Sequence, residues 1–221
     1  MKNFIEYVHI QNFKSIADLR LEDCRWINLF IGYPNVGKSN VLEALGLFSV
    51  PHLMYTDEIH KLVRFEHEKE LLDKGSASSF SIETNQHSIF FCDLVDDLEG
   101  TLSTWKWQSN VFKYDFHLGI EWQTTKKKEI LSPPFGENLF EPLLYNHNTK
   151  EVNQFFIVTH SPFILDTFLA YEHLRRETSI YLFDYKNDQT AVKRLTDEEM
   201  DEVCNYGMDL FFNIESFLRD E

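Results

Sequence analysis

Two short stretches near the start of the chain, Ile5 to Ile10 and Ile16 to Leu21, alternate apolar with polar side chains, as strands with one buried face do. They lead into the continuous apolar run Ile27-Asn28-Leu29-Phe30-Ile31, the pattern of a strand buried on both sides. The expectation is an antiparallel pair feeding a third, central strand. Behind it, Asn40 to Leu47 places apolar residues at helical spacing, and residues 57 to 74 are charged and helix-tolerant up to a loop at Lys74 to Ser79. Period-two segments then recur at Phe80 to Glu83, Ser88 to Cys92, Thr104 to Trp107 and Lys113 to Leu118, which predicts an antiparallel meander. Ser132-Pro133-Pro134-Phe135-Gly136 breaks the pattern. The last third opens with the apolar run Gln154 to Val158, read as a buried parallel strand, followed by a helix from Phe163 to Leu174. A strand at Ser179 to Asp184 and an acidic helix from Thr196 to Cys204 complete it, the helix opened by a Thr-Asp-Glu-Glu capping box.

Between the third strand and its helix lies Gly32-Tyr33-Pro34-Asn35-Val36-Gly37-Lys38-Ser39, a complete G-x-x-x-x-G-K-S sequence in the strand-to-helix context that a phosphate-binding loop requires. Glycines let such a loop turn its amides toward a phosphate, and the helix that follows presents its positive end there. Gly32, Asn35, Val36, Gly37, Lys38, Ser39 and Asn40 are therefore the candidate ATP-binding residues. Lys38 would reach the β- and γ-phosphates, and the Ser39 hydroxyl would hold Mg²⁺. No Asn-Lys-x-Asp sequence is present, which disfavours GTP. A second candidate is His160, in Thr159-His160-Ser161-Pro162. A lone histidine is more often structural, but at the carboxyl edge of a parallel sheet a neutral imidazole can bond a γ-phosphate or an attacking water.

Composition narrows the classes. With 221 residues, 43% hydrophobic and 15% aromatic, the chain can build a real core. A formal net charge of −15 argues against a broad surface that neutralises nucleic-acid phosphates, so any DNA contact is local or made by a partner. Trp105, Trp107, Tyr114, Phe116 and Trp122 are read as core rather than as a base-stacking platform. Cys24, Cys92 and Cys204 are odd in number and far apart, as reduced thiols in a cytoplasmic protein are. No apolar run is long enough to span a membrane.

Three segments together resemble a known family, the ABC-type ATPases of the SMC/RecF/OLD group. They are Ile10-Gln11-Asn12-Phe13-Lys14-Ser15-Ile16, then Asn28 through the phosphate-binding loop to Leu45, then Phe156-Ile157-Val158-Thr159-His160-Ser161-Pro162-Phe163-Ile164-Leu165. The resemblance covers roughly residues 1 to 48 and 150 to 190. It implies an α/β P-loop core of ABC-ATPase type: a mixed sheet with an antiparallel N-terminal subdomain and flanking helices. Residues 1–135 would carry the loop and antiparallel part, and residues 136–221 the histidine strand of the same core. It further implies that His160 senses the γ-phosphate, that Lys14 lies near the nucleotide, and that two copies close as a homodimer on two ATPs. DNA maintenance or defence against phage, with a nuclease partner, is the implied setting.

One departure is as informative as the match. Such proteins carry a Ser-Gly signature helix and an apolar strand ending in Asp-Glu or Glu-Glu shortly before the Thr-His-Ser-Pro strand, and neither is present here. Glu141 is the nearest candidate for the missing carboxylate. Two readings stay open: a natural internal segment is absent near Phe140 to Tyr145, or the protein binds nucleotide without competent hydrolysis. The first predicts a vacant strand position between the phosphate-loop strand and Phe155 to Thr159.

Overall fold

The computed structural model describes residues 4–49, 62–66, 68–73, 78–96, 100–109, 113–119, 154–207 and 209–218. Among the described residues ten strands form two sheets. The first is antiparallel, in the order β2-β1-β4-β5-β6-β7, built from β1 (Val8–Phe13), β2 (Ile16–Leu21), β4 (Ser79–Thr84), β5 (His87–Asp96), β6 (Gly100–Ser109) and β7 (Lys113–Gly119). The second has the order β10-β9-β3-β8, from β3 (Ile27–Gly32), β8 (Phe155–Val158), β9 (Thr178–Lys186) and β10 (Gln189–Arg194). In it β3 runs parallel to both β8 and β9, while β10 pairs antiparallel with β9.

Side-chain alternation explains the layering. Phe30, Tyr181 and Phe183 point to one face of the second sheet and join Val8, Ile10, Phe13, Ile16, Leu21, Phe80, Ile82, Ile89 and Phe91 from the first sheet. Helix α1 (Lys38–Gly46) adds Val41 and Ala44 to that core. Leu29, Ile31, Ile180 and Leu182 point the other way, onto Leu165 and Leu169 of α2 (Pro162–Ala170) and Met200 and Val203 of α4 (Asp197–Tyr206). A short helix α3 (Glu172–Arg176) links α2 to β9, and α5 (Ile214–Leu218) adds Ile214 and Phe217 to this second core. Continuous apolar runs are what a strand covered on both faces demands, and β3 and β9 are such strands.

The capping box of α4 is present: the Thr196 hydroxyl accepts from the Glu199 amide, and the Glu199 carboxylate accepts from the Thr196 amide. The meander over 79–119 is present as well. One expectation is overturned, the vacant strand position beside β3. As the expected antiparallel N-terminal subdomain, β1 and β2 stand apart from the sheet of β3 and extend the meander through β1–β4 pairing. In the stretch from 57 to 74, residues 57–61 lie outside the described residues, Leu62 is helical, and Glu68–Leu71 form a turn of 3₁₀-helix. β8 lies directly against β3, with Leu29 opposite Ile157 and Phe30 opposite Val158, so no strand position is vacant between them. The side chains of Trp105, Trp107, Tyr114 and Phe116 lie outside the described residues, as do Trp122, Glu141 and the junction at 140–145. Among the described residues no helix is long and apolar enough to cross a membrane, and the three cysteines are unpaired.

Candidate functional site

The loop after β3 has the backbone its sequence calls for. Asn35 (φ 63°) and Gly37 (φ 92°) are both left-handed, and α1 starts immediately at Lys38. Gly37 is the N-cap and supplies no side chain, so no side-chain acceptor covers the amides of the first turn. Its carbonyl accepts from Asn40 and Val41, which closes that turn. At Gly37 only glycine fits: a Cβ would collide with Thr190 Oγ1 and stand 2.9 Å from Thr190 Cγ2.

Lys38 is 5% exposed, and its ammonium donates to the carbonyls of Gly32 (2.8 Å) and Tyr33 (2.5 Å). Burial lowers its pKa below the usual lysine value. Among the described residues both of its partners are neutral oxygens, so the positive charge has no carboxylate to offset it. A buried, unneutralised cation beside an uncapped helix start suits a polyanionic ligand. Val36 is buried beneath the loop, whereas Asn35 and Ser39 are exposed.

His160 follows β8. With Phe30 opposite Val158 and the Thr159 amide donating to the Phe30 carbonyl at 3.3 Å, the register carries His160 to the level of Gly32. The sheet thus brings two sequence motifs more than a hundred residues apart to one edge. His160 is exposed there, and Thr159 beside it is buried and accepts from the Ser161 amide.

Lys14 lies on the β1–β2 turn beside α1. Its ammonium bonds the Glu43 carboxylate of α1 and the Arg64 carbonyl (2.6 Å), so it is anchored one turn behind the loop. Arg64 completes the cage with its guanidinium (2.7 Å) and backbone amide (3.2 Å) on Glu43. Burial alone would push the Glu43 carboxyl up; the bonds from Lys14 and Arg64 outweigh it and hold its pKa below the usual carboxylate value of 4.5. A depressed carboxyl contributes stability at pH above the unfolded value, and that contribution is lost as pH falls through the folded one. Denaturant titrations should therefore show wild-type stability dropping below pH 4.5, with the drop reduced in Glu43→Gln. Identical pH profiles for the two would refute the cage.

The sequence reading passed over Thr190. It sits on β10 just after a tight turn at Asn187 (φ 52°) and Asp188 (φ 61°), both left-handed as a type I′ hairpin requires. The Asn187-Asp188 pair after the apolar strand β9 was the available signal.

A family model described as an AAA ATPase domain matches residues 1–132. A 44-residue stretch is 50% identical to an uncharacterized protein of Methanocaldococcus jannaschii, covering 20% of each chain. A 65-residue stretch is 32% identical to the DNA replication and repair protein RecF of Caldanaerobacter subterraneus subsp. tengcongensis, covering 29% of this chain and 18% of that one. The matches thus span about a fifth of the length of these relatives. Among solved structures, the recombination mediator protein RecF-ATP is 21% identical with a TM-score of 0.30, over 52% of this chain and 27% of that one. The SMC head domain from Thermotoga maritima is 12% identical with a TM-score of 0.28, over 55% and 39%. The chain belongs to the AAA ATPase domain family.

Proposed function

We propose that the loop from Gly32 to Ser39 binds the triphosphate of ATP, with Lys38 on the β- and γ-phosphates and the loop and α1 amides around them. The observation that carries this reading is the buried Lys38 ammonium, held by two neutral carbonyls at an uncapped helix start. A triphosphate would give that cation the charge partner it lacks. The exposed Ser39 hydroxyl is the group here suited to Mg²⁺, a hard cation that takes oxygen ligands and neutralises phosphate charge. His160, level with Gly32, reads the γ-phosphate end. The turn carrying Lys14 acts through Glu43 on α1 rather than as a direct ligand.

Residues 1–135 and 136–221 form one core in this reading. Its support is the second sheet, in which β3 comes from the first part and β8, β9 and β10 from the second. By the family resemblance the protein acts in the cytoplasm as a homodimer closing on two nucleotides. DNA maintenance or defence against phage, as in OLD-like systems, is the setting, with a nuclease partner and DNA as the macromolecules engaged.

Binding with little turnover is the expected behaviour of this chain. A positioned general base contributes about a hundredfold or more to such a reaction, and the sequence lacks the signature helix and the strand-end carboxylates that supply it. Calorimetry with a non-hydrolysable ATP analogue and Mg²⁺ should show one saturable site per chain, and steady-state phosphate release should stay near background. Heats no larger than dilution would overturn the binding reading. Robust turnover abolished by Glu141→Gln would instead make Glu141 the base.

A further inference from the structure

Two turns from different sheets meet on the start of α1, and their polar groups close into a ring. Asn40 Nδ2 donates to Ser15 Oγ at 2.8 Å, and Ser15 Oγ lies 2.9 Å from Thr190 Oγ1. Thr190 Oγ1 also reaches the Ser15 carbonyl at 3.2 Å, and the Thr190 amide donates to that same carbonyl at 3.3 Å. Proton counting orients the ring. A hydroxyl has one proton, so Thr190 donates to the Ser15 carbonyl, a group that can only accept, and Ser15 donates to Thr190 Oγ1. Thr190 is 3% exposed, so these bonds are made away from bulk water.

The ring stands against the phosphate-binding loop itself. Gly37 approaches so closely that an added Cβ would collide with Thr190 Oγ1 and stand 3.0 Å from Ser15 Oγ. Asn40 lies on the first turn of α1, whose N-cap is Gly37. The β1–β2 turn and the start of β10 therefore grip the loop's last glycine from two sides.

We infer that Ser15, Asn40 and Thr190 are positioning residues that clamp the Gly37–Lys38 end of the loop in its left-handed geometry, ready for phosphate. The inference rests on the ATP-binding reading for its functional consequence, but the clamp itself is a property of the free chain. Its action is preorganisation: a loop already ordered loses less freedom when the ligand arrives. The role belongs to the Thr190 hydroxyl, so serine at that position keeps it and valine does not.

Amide hydrogen exchange in the absence of nucleotide tests the clamp directly. In Thr190→Val the amides of Tyr33 and of Asn35 to Lys38 should exchange at least about tenfold faster than in wild type, the net effect of losing the two hydrogen bonds of the Thr190 hydroxyl. Amides of β4 and β5 should not change, and Thr190→Ser should stay within about twofold of wild type. Analogue affinity should follow, falling about tenfold in the valine variant and recovering in the serine one. Unchanged loop exchange, acceleration spread evenly over the chain, or valine-variant affinity equal to wild type overturns the inference. Should Thr190→Val not fold, Ser15→Ala is measured in the same way, with the same outcomes. If wild type binds no analogue, the ATP reading falls, and the exchange pattern alone still decides the clamp.

Discussion

Lys38→Ala should lower affinity for a Mg²⁺–ATP analogue by at least about a hundredfold, because each hydrogen bond from a charged group contributes about 1.5–3 kcal/mol and each 1.4 kcal/mol is a factor of ten. Two phosphate contacts set that minimum. The Lys38 side chain is already desolvated in the free chain, so little of the interaction is lost to stripping water from it on binding. The same substitution takes the donor from the Gly32 and Tyr33 carbonyls, and an unsatisfied buried acceptor costs about 1–3 kcal/mol of stability. The variant should melt lower than wild type even without nucleotide. Ligand linkage separates the two effects: wild type should gain melting temperature with rising analogue concentration, and the folded variant should gain none. Equal affinity of both proteins, measured below the variant's transition, would remove Lys38 from the site.

Much of this site was legible in the sequence because its information is local. Strand, glycine-bounded loop and helix follow one another within residues 27–46, and each declares itself by periodicity or by a residue with special backbone freedom. That His160 follows a strand was legible too, since an apolar run ends in Thr-His-Ser-Pro, but the buried strand read there is an edge strand with Phe155 exposed. What escaped depends on pairing. Nothing in residues 5–21 says whether two amphipathic strands join the sheet of β3 or the later meander. That choice is made by β1 and β4 meeting across about seventy residues, with Ile10 opposite Ile82. Thr190 is 175 positions from Ser15, and a threonine in a short polar-flanked strand carries no mark of what it will touch. Lys14 shows the same limit from the other side. Its proximity to the loop followed from the resemblance, while its partner, a buried carboxylate on α1, follows from the packing. The short helix α5 and strand β10 were missed for a further reason: five residues are too few to show the helical period, and Gln-Thr-Ala-Val-Lys-Arg does not alternate.

Phe30→Ala should be the most destabilising single substitution among these, at about 3–5 kcal/mol, the usual cost of deleting a fully buried aromatic ring. Phe30 is inaccessible to solvent at the middle of β3, with ring centroids 5.1 Å from Phe183, 5.8 Å from Tyr181 and 6.1 Å from Phe156. Those three rings come from β8 and β9, the strands on either side, so the cavity would open where the two parts of the chain are joined. A protein of this size shifts by about 2–4 °C per kcal/mol, which puts the expected fall in melting temperature at about 6–20 °C. Phe163→Ala is the matched comparison. Phe163 is 81% exposed, so its loss should change stability by no more than about 0.5 kcal/mol. A Phe30→Ala cost as small as that would mean the aromatic cluster is not packed. The consequence reaches the edge of the sheet as well. The Phe30 carbonyl accepts from the Thr159 amide, the last bond tying β8 to β3 before His160, so loosening β3 at this point frees the histidine strand. Exchange of the Thr159 amide should therefore accelerate more than that of Ile82 on the antiparallel sheet. Equal acceleration at both would show that Phe30 supports the fold as a whole and does not set the height of His160.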